Sequence, residues 1–220
     1  IKSKLTKLSL VATLVLATSA FSAETIKDAF KEGSVSGALT VYGITTNASG
    51  STKDSGFTAG TALLSYETAA VSGFSAKLGF ITGTDFSEKE NEDADSFEEK
   101  SLLTEAYIKY ANDDFFAIAG RQEIDLEWLG DYNEALVVGL TSIPDTTLVA
   151  GYVDRQVAAD EDEIGTIAEV NGDEGAYVVD IKYSGIERLD LNPFYYYAED
   201  VADFYGIKAS YTAESFGLTA

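Results

Sequence analysis

The 220-residue chain contains no histidine, no cysteine and no methionine, and only two prolines and one tryptophan. Without histidine there is no Ser-His-Asp or Cys-His pair, no imidazole metal ligand and no side chain that ordinarily titrates near neutrality. Without cysteine there is neither a disulfide framework nor a thiolate metal site. Basic residues are scarce, since 15 Lys and Arg stand against 37 Asp and Glu. Nucleic acid is thereby excluded as a partner, because its phosphates need a basic footprint. Long apolar runs are also missing. After residue 22 none approaches the roughly 20 residues of a spanning helix, so any membrane crossing would have to use β-strands.

What is present begins with a leader. Lys2, Lys4 and Lys7 precede an apolar run from Leu8 to Ala17, and Ala20-Phe21-Ser22 is a small-x-small cleavage site. Residues 1–22 therefore read as an export signal. Its removal takes three of the 15 basic residues and none of the 37 acids, leaving 12 − 37 = −25 on the mature chain. A hydrophobic content of 45% is too high for a disordered acidic tail, and 13 Tyr with 12 Phe suffice for a core or an interfacial girdle. The chain starts without Met and stops at Gly217-Leu218-Thr219-Ala220, which looks like the beginning of a further strand. It reads as the N-terminal piece of a longer protein, the alternative being a complete small barrel.

Residues 24–32 place Ile26, Ala29 and Phe30 at helical spacing before Gly33, a short amphipathic helix expected to dock on or plug one end of the fold. Residues 23–33 thus form a helical segment and 34–220 the body. From Ser34 onward the hydrophobic period is two. Candidate strands are 34–46, 57–69, 73–83, 101–111, 114–122, 135–143, 146–155, 176–184, 188–198 and 202–212. Each is close to the roughly 9–11 residues of a tilted transmembrane strand. Short turns (70–72, 112–113, 144–145, 185–187) alternate with longer loops (47–56, 84–100, 123–134, 156–175), the arrangement of an antiparallel barrel. The fold expected is all-β, an antiparallel transmembrane barrel with 10–11 strands present.

Within strands, Tyr177, Val179, Ile181 and Tyr183 share one face while Asp180 and Lys182 share the other. Phe74, Ala76, Leu78 and Phe80 are likewise set against Lys77, and Tyr205, Ile207, Ala209 and Tyr211 against Lys208 and Ser210. Charged partners require a wet second face, which an aqueous lumen provides but the solvent side of an ordinary sheet also would. Strand 34–46 is ambiguous, with Val35, Leu39 and Val41 opposed to Tyr42 and Ile44.

Lys77, Lys109, Arg121, Lys182 and Lys208, with Glu105, Asp180 and Asp190, fall on the inferred wet face. They are candidate pore-lining residues, or else cross-strand ion pairs of a soluble sheet. Loop 123–134 holds the single Trp and more hydrophobic surface than a solvent loop carries. It either folds inward, with Asp125, Glu127, Trp128 and Asp131 at a constriction, or extends an aromatic girdle through Trp128 and Tyr132. Asp93-Ala-Asp95 and Asp160-Glu-Asp162 offer calcium-type ligands without the glycine and closing Glu of an EF-hand loop. They read as solvated acidic loops that could bridge divalent cations to lipopolysaccharide. The sequon Asn47-Ala48-Ser49 is a weak signal. A carboxylate pair could hydrolyse a glycosidic bond, but no pair stands out among so many acids, so no enzyme activity and no cofactor are expected.

Glu24-Thr-Ile-Lys-Asp-Ala-Phe-Lys-Glu-Gly33 followed by Ser34-Val-Ser-Gly37 resembles the start of the Opr-family (OprD-like) porins and major outer membrane proteins of epsilonproteobacteria. Ala119-Gly-Arg-Gln-Glu-Ile-Asp125, Ile143-Pro-Asp-Thr-Thr-Leu-Val-Ala-Gly-Tyr152 and Asp203-Phe-Tyr-Gly-Ile-Lys208 are similar to other segments of that family. The resemblance implies a barrel of about 16–18 strands in the outer membrane of a Gram-negative bacterium. It also implies a homotrimer amid lipid and lipopolysaccharide, passing ions and small hydrophilic solutes, with Arg121 near the pore. The expectation is a porin that prefers cations. A structural or adhesive barrel without an open channel, and a soluble periplasmic β-protein, are the alternatives.

Overall fold

A computed structural model describes residues 4–16, 22–48, 53–90, 97–213 and 217–219, the first of these segments by its backbone alone. The strands are β1 (Lys4–Leu16), β2 (Ser34–Asn47), β3 (Ser55–Glu67), β4 (Phe74–Glu88), β5 (Ser101–Ala111) and β6 (Phe115–Glu123). They continue as β7 (Tyr132–Leu140), β8 (Thr146–Val157), β9 (Ala168–Glu169), β10 (Ala176–Ile186), β11 (Leu189–Ala198), β12 (Ala202–Thr212) and β13 (Gly217–Thr219). Every ladder is antiparallel and joins neighbours in the chain, except that β10 pairs with β8 while the two-residue β9 lies against the end of β8. The result is one all-β meander. It is not closed: among the described residues β1 and β13 are its two edges.

All ten strands expected from the alternation are present, and β1, β9 and β13 are additional. The strand expected at 135–143 instead runs Tyr132–Leu140. Its end is set by the turn before Pro144, where Thr141 N donates to the Asp114 carbonyl at 2.8 Å and Asp145 takes φ 54°. The segment that reads as an export signal is described as β1, paired along its length with β2.

The short turns follow from local chemistry. Asn112 Oδ1 accepts from the backbone N–H groups of Asp114 and Phe115, both at 2.9 Å, so one side chain closes the β5–β6 hairpin. Between β3 and β4, Ser72 and Gly73 both take positive φ, and a Cβ at Gly73 would lie 2.8 Å from the Ala111 carbonyl. The helix α1 (Ile26–Lys31) is capped by Thr25, whose hydroxyl accepts from Asp28 N at 3.2 Å. It docks on the β3–β4 turn through Ala29, whose carbonyl accepts from Ala69 N at 3.0 Å, and through Tyr66 OH, which donates to the Phe30 carbonyl. Ala29 alone of the expected apolar stripe is buried; Ile26 and Phe30 are exposed, because one turn of helix on a hairpin tip covers little surface.

Register sorts the side chains into two faces. Lys77, Gly79 and Ile81 of β4 share a face with Ser65 and Leu63 of β3 and with Glu105, Tyr107 and Lys109 of β5. The face continues through Val137, Val149, Val178, Asp180, Phe194, Asn192 and Lys208. It also resolves β2: Tyr42, opposite Ala59, belongs to this charged face, while Val35, Leu39 and Val41 belong to the other. That second face is apolar and bare. Leu39, Leu64, Phe80, Ile108, Leu136 and Tyr205 are each more than half exposed on it. An aqueous protein does not normally leave so large an apolar surface uncovered.

Two hydrophobic clusters form where long loops fold back over the charged face. In one, Ile124, Leu126 and Leu129 of the β6–β7 loop pack on Val137, Val149, Val178 and Tyr196. In the other, Phe97 and Ile164, bridged to each other, pack on Ala59 and Ile81. Gly83 is the floor beneath them: a Cβ there would meet the Phe97 ring at 2.7 Å and Ile164 Cδ1 at 2.8 Å.

Candidate functional site

Apart from Arg121, the charged side chains predicted to share a wet face lie on one face of the sheet, on β4, β5, β10, β11 and β12, and most are engaged. Lys77 Nζ contacts Glu105 Oε2 at 2.8 Å, and Ser65 Oγ donates to the same oxygen at 3.2 Å. The space for this carboxylate comes from Gly79, where a Cβ would lie 2.9 Å from Glu105 Oε2. Glu105 is only 6% exposed, so it braces the wall and does not face open water. Asp180 is fully buried as well. It accepts from Asn192 Nδ2 at 2.7 Å and from Tyr196 OH at 2.9 Å, a network that ties β10 to β11. Lys109 has the same parity and no ion pair among the described residues.

Arg121 departs from the expected pattern. Register places it opposite Ala106 and Glu134, with the parity of Ala119, directly after Gly120 at φ 121°. Its guanidinium donates to Glu134 Oε1 at 2.6 Å and to the Leu103 carbonyl at 2.6 Å, so it clasps three neighbouring strands. The register runs unbroken through Gly120, so plain alternation sets Arg121 in step with Ala119 and opposite to Ile118 and Gln122.

The β6–β7 loop folds over the charged face. Glu127 Oε2 pairs with Lys208 Nζ at 2.8 Å, and Lys182 Nζ donates to the Asp125 carbonyl at 3.3 Å. Trp128 stacks on Phe204 with ring centroids 6.2 Å apart and lies 6.4 Å from Phe194, while its backbone N–H donates to Tyr196 OH at 3.4 Å. The ring partners of Trp128 have the parity of Lys208, so its contacts are with the charged face. Asp131 stands apart: it takes φ 60°, its carbonyl accepts from Ile124 N at 2.9 Å, and it borders a different hollow with Glu98, Gln156 and Glu163. Beneath Asp125 and Glu127 lies a cavity of about 480 Å³ whose polar walls include Lys182, Ser184, Asp190, Asn192, Lys208 and Ser210, with Leu126, Tyr183 and Leu191 beside them. Asn192, Tyr196, Phe194 and Phe204 were missed from sequence. Parity with Lys208 and Asp180 was the signal that could have found them.

The β8–β9 loop carries the acidic run. Asp160 accepts from Asp162 N at 2.9 Å. Its carboxyl is pushed up to about 6, first by burial and then by the neighbouring Asp162 and Glu161. Among the described residues no group of three acidic side chains converges as a metal site would require. Asp93, Asp95 and Ser49 lie outside the described residues.

A family model described as "Putative outer membrane protein" matches residues 25–216. No curated protein and no solved structure matches the chain. Among the described residues no helix is long and apolar enough to cross a membrane, whereas β2 to β12 present an exposed apolar face along an antiparallel sheet. The chain belongs to this family of outer membrane proteins, and its place is the outer membrane of a Gram-negative bacterium.

Proposed function

We propose that the sheet is wall to a water-filled porin channel through which ions and small hydrophilic solutes diffuse passively. The observation that carries this reading is the segregation by strand parity. Exposed Leu, Ile, Phe and Tyr occupy one face, suited to lipid, and Lys77, Lys109, Lys182 and Lys208 with Asp190 occupy the other, suited to water. The likeness to Opr-family porins supports the same conclusion and brings with it closure by further strands, a homotrimer and an export signal cleaved after Ser22. No covalent chemistry and no cofactor are part of this function.

Cation preference follows from charge. The mature chain carries −25, much of it in the loops, and a single-sign field at a pore mouth concentrates counter-ions. Planar-bilayer recording of the full-length protein tests both points. Stepwise KCl conductance with a reversal potential favouring potassium, weakening as salt rises, is expected. A detergent-extracted, correctly folded protein that gives no steps refutes the channel.

One observation favours a second reading, a barrel closed inside and serving as a surface scaffold or adhesin. The two loop clusters pack on the charged face and fill part of its width. Silent bilayers combined with an intact membrane-inserted fold would select it.

A further inference from the structure

Among the described residues, Phe204 is the one large hydrophobic side chain that is exposed on a strand and yet has the parity of the charged face. It is 48% exposed and stacks on Trp128, itself 65% exposed, at an interplanar angle of 20°. A water-facing aromatic pair gains nothing from lipid, and its burial would be favourable only under a ligand that offers an apolar surface. Neither ring lines the 480 Å³ cavity: Glu127, which borders it, precedes Trp128, and Phe204 lies on the same face four residues, about 13 Å, along β12 from Lys208, so only a ligand longer than one ring spans both. This volume lies within the range of about 300–1,000 Å³ typical of small-ligand sites.

The polar groups of the cavity are mixed in kind. Lys182 uses one donor on the Asp125 carbonyl and keeps two, while Asn192 commits its N–H groups to Asp180 and the Ile181 carbonyl and keeps its Oδ1 as an acceptor. Asp190, opposite Ser210, supplies a further acceptor pair. A simple anion would meet the carboxylates of Asp190 and Glu127, and a simple cation would meet the ammonium groups of Lys182 and Lys208. A neutral ligand rich in hydroxyls, each both donor and acceptor, satisfies both sets without opposing charge.

We propose that this cavity and the aromatic pair form a disaccharide subsite, in which one sugar ring packs its C–H face on Trp128 and Phe204 while hydroxyls of the other engage Lys182 and Asn192. The proposal rests on the channel reading and names its solute class. Trp128 is the single tryptophan of these 220 residues, and the emission lost in Trp128→Phe isolates its contribution in the full-length protein.

Maltose titrated into the full-length protein in detergent is expected to change Trp128 emission saturably, with half-saturation in the millimolar range, and glycerol at equal concentration is expected to leave it unchanged. Phe204→Ala should weaken maltose binding about tenfold, from losing about 1.4 kcal/mol of ring contact. Phe204→Tyr, which keeps the ring, should bind nearly as the parent does. No saturable change, an equal response to glycerol, or Phe204→Ala binding as the parent does would each overturn the subsite. Bilayer recording separates the two ideas: KCl steps that maltose does not block, with no binding in detergent, refute the subsite and leave the channel. Maltose binding without KCl steps supports the subsite and refutes the channel.

Discussion

Replacing Lys77 by Met tests whether the charged face is held by paired charges. At 2.8 Å the attraction between Lys77 and Glu105 is about 6 kcal/mol for an effective dielectric constant near 20. Desolvation offsets most of it, because each ion removed from water costs several kcal/mol. The intact pair therefore contributes little net stability, but the broken pair is costly. The Glu105 side chain is 8% exposed, and after Lys77→Met its remaining side-chain partner is the Ser65 hydroxyl at 3.2 Å. An uncompensated buried carboxylate should lower stability by about 3–5 kcal/mol. The double variant Lys77→Met/Glu105→Gln removes the stranded charge and should return to within about 1 kcal/mol of the parent. Urea unfolding of the protein in detergent, followed by loss of the β-sheet circular dichroism, gives all three values. A single variant within 1 kcal/mol of the parent, or a double variant no better than the single, would show that Glu105 is solvated and the reasoning wrong.

Further outcomes follow from the same geometry. Lys182→Gln should shift the reversal potential in a salt gradient, whereas Arg121→Gln should leave selectivity nearly unchanged and lower stability, since its charge is closed by Glu134; equal shifts for both would contradict the assigned faces. Gly83→Val should expel Phe97 and Ile164 from the charged face at a cost of about 3 kcal/mol and expose the loop to protease, and unaltered digestion would refute the packing. Asp160, raised to about 6 from an ordinary 3.8, favours its protonated form in the folded loop. Its contribution is complete below 3.8 and lost as pH rises through about 6, so hydrogen exchange of 158–165 should quicken over that window. In Asp160→Asn that pH dependence should flatten; a curve as steep as the parent's would clear Asp160 of the role. Finally, N-terminal sequencing of protein from outer membranes should begin at Ala23, whose N–H donates to the Ala70 carbonyl at 2.8 Å, and an intact Lys2–Ser22 leader would refute cleavage.

Strand identity was legible because alternation is a local property: Phe74, Leu78 and Phe80 against Lys77 can be read without knowing any neighbour. The acidic balance and the absence of histidine in these 220 residues are matters of inventory, read without any fold. Seven of the eight charged candidates share one parity, and Arg121 falls on the other side because it is in step with Ala119 in a register that runs unbroken through Gly120. Which charges face water was not legible. Lys77, Glu105 and Asp180 have the pattern of solvated residues, yet Gly79, Ser65, Asn192 and Tyr196, from other strands, enclose the two acids. Nor could composition decide whether Trp128 joins a girdle or a site. That depended on Phe204, 76 positions further along, and on the Glu127 to Lys208 contact that folds the loop across four strands. Periodicity fixes the side to which each residue points, but only the assembled sheet brings distant residues to the same place, because such contacts are made between strands and have no trace along the chain.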